Sequence, residues 1–490
     1  MKEYWEILRS YYKDYSLVSS QIKSFNYFIE KGLKNIILNF DVDSLPENLL
    51  EVYKEIDFKV TNVRLGEPEY TEVDGSVITL TPNIARLRKI TYTAPLYLEI
   101  STKIGAQIEK FEVMIARMPI MLKSKKCVLY GKTKEELIEM GEDPDEPGGY
   151  FIINGTERVV VYIEDLALNK FRVEKSKDNK LVGILYSERG VFKSLQEISK
   201  KKDGTYVYSF GNFKNVPIFL LIKSLGLVKD KDIIDEIGVT NTDLIFQLSE
   251  YSSLQTEDDS IDFLAKKLVV SGTSTDKKKR TEYYLDNFVL PHVGKNYEDR
   301  IVKAKTICKY LKKYLLCEDG KTHLDDKDHL LNKRLKLVGE LFSHLFLSNF
   351  SELIIDILTN FQRAIKRGRF SSLRIIVREK FLTQNITSAM AKGNWSDGRR
   401  GVSQYLKREN YFDFISHLTR VVSPLSSSQE NFDARELHPT HYGRLCPLET
   451  PEGHTIGLRK NLAVMSNVTY KLPCIDSISE DLEELGVKKD

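Results

Sequence analysis

The alternation of apolar and polar positions changes character several times along the 490 residues. Over residues 1–36, Leu17, Ile22, Phe25, Phe28 and Ile29 recur at roughly three- and four-residue steps, which predicts helices with one buried face. From 55 to 122 the text shifts to short runs such as VITL at 77–80 and ITYTAPLYLEI at 90–100, whose branched and aromatic residues suit strands. In FIINGTERVVVYI at 151–163, Asn154-Gly155 divides two apolar runs and predicts a tight hairpin, because both residues tolerate positive φ. The preceding EDPDEPGG at 142–149 reads as a loop. Residues 170–333 mix strand-like and helix-like text, with acidic helical sequence at 229–269 and an amphipathic helix at 299–317. Within that stretch, KKKR at 277–280 reads as a solvated loop, with a phosphate contact as the minority alternative. DDKDHLLNKRLKLVGELFSHLFLSNFSELIIDIL is helical through much of its length, and the chain returns to its first domain near 334.

Length and composition narrow the class. A chain this long divides into about three or four units. Lys and Arg total 73 against 70 Asp and Glu, so net charge by itself identifies no nucleic-acid partner. The five cysteines, at 127, 308, 317, 446 and 474, contain no close Cys-x-x-Cys pair of the kind structural zinc needs, and a reducing compartment is expected. The polar, aromatic start lacks the core of a signal peptide and no 18-residue apolar span stands out, so no membrane association and a cytoplasmic location are expected. Charge becomes informative locally: residues 351–466 hold 17 Lys or Arg against 11 Asp or Glu. Lys366, Arg367, Arg369, Arg374, Arg378 and Lys380 lead into GNWSDGRRGVSQYLKREN, a set that fits either a phosphate-facing surface or an ordinary charged helix and loop.

The segment RELHPTHYGRLCPLETPEGHTIGLRKNLAVMS at 435–466 is too rich in Pro and Gly for a regular helix and predicts a shaped loop surface. His438 and His441, with His417, Cys446 or His454, invite a metal hypothesis, but packed polar loops use histidines in the same way and the ligand set is not closed. Glu449 and Glu452 fit the orientation of arginines better than proton transfer.

HPTHYGR, CPLETPEG and IGLRKNLA, in that order, resemble the most recognisable segment in the first half of the second-largest subunit of cellular, multisubunit DNA-directed RNA polymerases. PNIARLRKITYTAPLYLEI, ARMPIMLKSKKCVL, GGYFIINGTERVVV, DDKDHLLNKRL and AKGNWSDGRRGVSQYLKREN extend the resemblance over nearly the whole chain. The GGYFIING and GNW forms resemble archaeal or eukaryotic versions, and the archaeal amino-terminal B fragment most of all. The resemblance implies a multidomain mixed α+β fold: a discontinuous protrusion (1–173 and 334–390) with an inserted lobe (174–333), then a fork (391–470) and the start of an external domain (471–490). It implies a subunit of the enzyme that makes RNA on a DNA template from nucleoside triphosphates. Its partners would be the carboxyl-terminal B-subunit fragment, fragments of the largest subunit and other polymerase subunits, with template DNA, nascent RNA and nucleotides in the complex. The two Mg2+ ions of such an enzyme would be bound mainly by other subunits, with none held by this chain. Asp325, Asp326 and Asp328 fall in a structural family segment. Candidates for nucleic-acid binding or active-centre support are Arg399 and Arg400 in a first fork loop, Gln404, Arg408, Arg420 and Arg435 around the fork, and Arg444, Glu449, Glu452 and Lys460 on its active-site side. A second fork loop would span 423–434. For Arg435 and Arg444 the competing expectation is ion pairing with Glu436, Glu449 or Glu452. Trp395 fits either base stacking or turn packing. Two other classes stay open: a structural assembly subunit, and an independent nucleic-acid-binding module.

Overall fold

The computed structural model describes residues 2–42, 45–55, 58–104, 107–176, 178–190, 192–239, 241–269, 273–367, 373–395, 398–470, 478 and 482. The chain forms two compact units, one made of residues 1–165 and 335–490 and the other of 166–334.

In the first unit the opening helices lie at Lys2–Asp14 and Ser19–Tyr27, and the latter runs through one turn of π-helix at Phe28–Gly32 into Leu33–Leu38. Phe25, Phe28, Leu33 and Ile37 form the buried stripe. The same helices hold the returning chain. The long helix Val338–Lys366 has no side-chain cap of its own at Leu337. Its first amides are met from elsewhere: Val338 N donates to Gln21 Oε1 (2.9 Å) and Gly339 N to Ser24 Oγ (3.1 Å). A Cβ on Gly339 would sit 2.2 Å from the Ser24 carbonyl oxygen, so this approach requires glycine. Val338, Leu341, Phe342, Leu345, Phe346, Asn349 and Phe350 continue a buried 3–4 stripe. This helix corrects one expectation, being long and apolar enough to cross a membrane by length and composition. Its apolar face, however, is packed in the core of the unit.

Strands Lys59–Leu65, Thr93–Ile104 and Gln107–Pro119 make one antiparallel sheet in chain order. Phe151–Ile153 and Thr156–Val160 form the hairpin expected at Asn154-Gly155, with φ of +50° and +74°. A Cβ on Gly155 would come 2.5 Å from Lys89 Cα, which adds a steric requirement to the turn's conformational one.

The second unit is built on a five-stranded antiparallel sheet ordered Phe213–Pro217, Tyr206–Phe210, Phe192–Lys200, Leu181–Arg189, Arg172–Lys175. Helices from Ile218 to Glu318 accompany it, among them Asp299–Glu318, which buries Ala304, Ile307, Cys308, Leu311 and Leu315. The KKKR run is not a loop. It lies in helix Ser274–Phe288, where Lys278 pairs with Asp258 at 2.7 Å. Lys and Arg are good helix formers, and four of them in a row conceal the periodicity by which a helix is recognised.

Candidate nucleic-acid interface

The region from 399 to 461 hangs on strands supplied by the first 165 residues. Ser403–Tyr405 pairs antiparallel with Thr156–Val160. Arg420–Val422 runs parallel to Tyr162–Leu166 and antiparallel to Arg459–Asn461. Strands this short are held by what they bury, here Val402 and Val421.

This pairing sets three of the expected cations against carboxylates. Lys460 Nζ lies 2.7 Å from Glu164 Oε2, with side chains only 8% and 4% exposed. Arg399 Nη2 lies 2.8 Å from Asp165 Oδ2. Arg408 pairs with Glu157 (2.5 Å), donates to the Tyr150 hydroxyl (2.9 Å) and stacks over Phe414 at 4.5 Å. Arg408 thereby joins a larger network. Arg86 binds Glu142 (2.8 Å), Glu157 (2.9 Å) and Tyr150 (2.8 Å), and Tyr150 donates to Glu146 (2.8 Å). Burial works against ionised Glu157, but the two guanidiniums outweigh it and hold this carboxyl below its ordinary range. Burial likewise opposes the charge of Arg408, and Glu157 overcomes it.

The loop arginines are held differently. Arg435 Nη1 donates to the carbonyls of His454 (2.7 Å) and Ile456 (3.0 Å), and its Nη2 to those of Ser427 and Gln429 (both 3.1 Å). One guanidinium thus clips the 423–434 loop to the turn at 453–457. Gly457, at φ +71°, is obligatory there, since its Cβ would sit 2.3 Å from the Arg435 carbonyl oxygen. Arg444 is exposed and donates to the Thr440 carbonyl at 3.1 Å. Among the described residues neither arginine pairs with Glu436, Glu449 or Glu452, so carbonyls replace the expected internal ion pairs. Arg400 is exposed and makes no ion pair among the described residues.

Arg420, half-buried, approaches Ser416 Oγ (3.5 Å) and Asp413 (4.0 Å). Burial lowers its pKa, opposed by Asp413 and aided by Arg459, but a guanidinium stays charged. Ser416 organises this corner: its hydroxyl donates to Glu449 (2.5 Å), and Asn461 Nδ2 donates to its carbonyl (2.8 Å). Glu452 is exposed before the 3-10 turn Gly453–Thr455 and caps nothing with its side chain. Gln404 donates to the Gly401 carbonyl (3.0 Å), and its Oε1 faces His417 Nε2 (3.1 Å). Lys407 N donates to His417 Nδ1 (3.2 Å), so the ring carries its proton on Nε2. Burial, followed by Arg420, pushes His417 down to about 4.

Two family models match the chain: "RNA polymerase beta subunit" over residues 16–386 and "RNA polymerase Rpb2, domain 3" over 404–468. The chain belongs to the RNA polymerase beta-subunit family. It is 40% identical to DNA-directed RNA polymerase subunit Rpo2N of Methanocaldococcus jannaschii, over 95% of each chain. It is 39% identical to Rpo2N of Methanococcus vannielii over 99% of both. Rpo2 of Saccharolobus solfataricus is 37% identical over 99% of this chain, which corresponds to 43% of that longer protein. The chain is thus a subunit of a DNA-directed RNA polymerase, of archaeal type, and works within a multisubunit enzyme.

For a beta-family chain the remaining question about the site is metal. Among the described residues no three His, Cys, Asp or Glu side chains come together as a metal site. Asp325 accepts from Val173 N (2.8 Å) and pairs with Lys313 (2.6 Å), while Asp328 pairs with Lys333 (2.9 Å). His438 Nδ1 is engaged by Thr440 Oγ1 at 2.7 Å. These residues do not fit a catalytic magnesium site. Trp395 is buried edge-on against Phe342 (5.5 Å), which removes it as a stacking platform. Arg369 and most of 471–490 lie outside the described residues, as do residues 396–397 of the first fork loop.

Sequence reasoning missed the acceptors Glu142, Glu146, Glu157, Glu164 and Asp165, and also Arg158. Arg158 is 6% exposed, has no carboxylate partner among the described residues, and lies under the ring of exposed Tyr405 at 3.4 Å. No alternation along TERVV could have flagged it, because burial runs unbroken through Arg158, Val159 and Val160 instead of alternating.

Proposed function

We propose that this chain builds one side of the DNA/RNA cleft in an archaeal-type polymerase, and that its fork loops contact the nucleic-acid backbone. In family terms, residues 1–173 and 334–390 are the protrusion, 174–333 the lobe and 391–470 the fork, with 471–490 opening the external domain. Partners are the carboxyl-terminal B fragment, the largest-subunit fragments and the other subunits, in the cytoplasm, with magnesium held by those other chains.

The observation that carries this reading is how the loop arginines are neutralised. A carboxylate cancels a guanidinium's field, whereas a carbonyl satisfies its hydrogen bonds and leaves its charge. Arg435 and Arg444 bind carbonyls, and Arg400 is exposed, so these three keep the positive charge that phosphates require. Arg399, Arg408 and Lys460 brace the fork, with Gln404, Arg420 and Glu449 holding its helix and strands. Glu452 completes the loop surface without a proton-transfer role.

The test is promoter-independent RNA extension by a polymerase reconstituted with and without this chain. Extension should require the chain. Arg435→Ala and Arg444→Ala should weaken scaffold binding and flatten its salt dependence. Unchanged binding and extension in both variants would remove the loop assignment, and extension without the chain would remove the whole reading.

A further inference from the structure

An open pocket of about 560 Å³ lies in the first unit, away from the fork loops, between the Glu69–Thr71 strand, the strand Gln107–Pro119 and the helix Glu379–Lys392. Arg117 is its only cation and Glu69 its only acid; hydroxyl and amide residues contribute to the lining, but most of the surface they and Ile90 and Ala391 turn to the pocket is apolar. Every bond that Arg117 makes is to a neutral group. Nη1 donates to the Glu69 carbonyl (3.2 Å) and Nη2 to Thr71 Oγ1 (3.5 Å), while its backbone N donates to Thr383 Oγ1 (2.9 Å). Among the described residues no carboxylate lies within ion-pair distance of it.

A half-buried guanidinium cannot shed its proton, so it carries a full charge into a pocket whose exposed walls are mostly apolar, with Glu69 its one acid. Three of its five N–H groups are unused by these bonds. Thr387, one turn beyond Thr383 on the helix, adds a hydroxyl that can donate to one oxygen of a ligand, whereas the Thr383 hydroxyl is already spent on the Glu379 carbonyl (3.1 Å). A tetrahedral oxyanion matches a planar fork plus a separate hydroxyl better than the two oxygens of a carboxylate. The pocket volume falls within the range of small-molecule sites, roughly 300–1,000 Å³.

We propose that this pocket binds a small phosphate-bearing ligand, with Arg117 as the phosphate contact and the Thr387 hydroxyl as an orienting donor. The proposal stands apart from the polymerase reading, since nothing in it depends on the fork. The ligand's phosphate could be inorganic or part of a nucleotide, and calorimetric titration of the full chain with pyrophosphate, and separately with uridine monophosphate, distinguishes the two. Saturable heat is expected from at least one probe, with sulfate at equal ionic strength much weaker. Arg117→Gln should weaken binding by roughly tenfold or more, and Glu69→Gln should strengthen it by relieving repulsion. Thr387→Val, which keeps the side chain's size and removes its hydroxyl, should weaken it severalfold. Absence of saturable heat with both probes would overturn the proposal, as would equal binding by wild type, Arg117→Gln and Thr387→Val.

Discussion

Lys460 and Arg435 come from the same glycine- and proline-rich segment, yet they are put to opposite uses. Lys460 sits on a strand and faces Glu164 in a nearly water-free pair. Arg435 sits between loops and spends its donors on four carbonyls. The strand-held cation is neutralised and structural, while the loop-held one is structural and still charged. A cation's availability to a partner therefore depends less on its exposure than on whether its acceptor is an anion. The same contrast separates Arg399 and Arg408, which face Asp165 and Glu157, from Arg444, which faces a carbonyl.

The strongest way to break the comparison is to remove one half of the buried pair. Lys460→Ala leaves Glu164 buried without its nearest cation and should cost about 3–5 kcal/mol, read from urea unfolding. The double variant Lys460→Met/Glu164→Leu should recover most of that loss, because two charges removed together leave none stranded. If the double variant folds but the reconstituted enzyme is inactive, Lys460 has a role beyond bracing and the division fails.

A smaller effect follows from pH. His417 is neutral in the fold, where its Nδ1 accepts from Lys407 N and its Nε2 faces Gln404. Its folded pKa of about 4 lies below the ordinary 6.5. Between those values the unfolded chain binds a proton that the folded one refuses, so stability should fall as pH drops from about 6.5 to 4 and lose nothing further from this group below that. The expected loss is on the order of 3 kcal/mol, about 1.4 kcal/mol for each unit of that gap. His417→Gln should flatten that part of the profile in urea midpoints measured at intervals of pH. An equally steep profile in the variant would place the titration elsewhere.

Much of this was legible in the sequence, for identifiable reasons. The Asn154-Gly155 hairpin is a local matter of φ, and the stripes of Ser19–Tyr27 and Asp299–Glu318 are local periodicity. The division at 165 and 335 is not local: it rests on Gln21 and Ser24 meeting the first amides of a helix more than three hundred residues later. The candidate cations were visible as residue types, but their acceptors were not. Glu157 and Arg408 are brought together by strand pairing across |i−j| = 251, which no spacing in the text encodes. Trp395 failed as a stacking platform for the same reason, since Phe342 is far away in sequence.

The smallest predicted effect is also the most discriminating. In the assembled enzyme, Arg435→Ala should lower the slope of log affinity against log salt for a nucleic-acid scaffold by about one unit. Arg408→Ala should leave that slope unchanged and instead lower the thermal midpoint, because its charge is already spent on Glu157. Alanine at 435 also unclips the loop, which could change the slope indirectly, so the charge must be tested apart from the clamp. Arg435→Lys separates them: it keeps the cation but cannot span four carbonyls with a planar fork. It should preserve the salt slope while amides of 426–430 exchange faster with deuterium. If lysine loses the slope as alanine does, Arg435 acts on nucleic acid only by shaping the loop, and the distinction between neutralised and charge-retaining arginines would have to rest on Arg444 and Arg400.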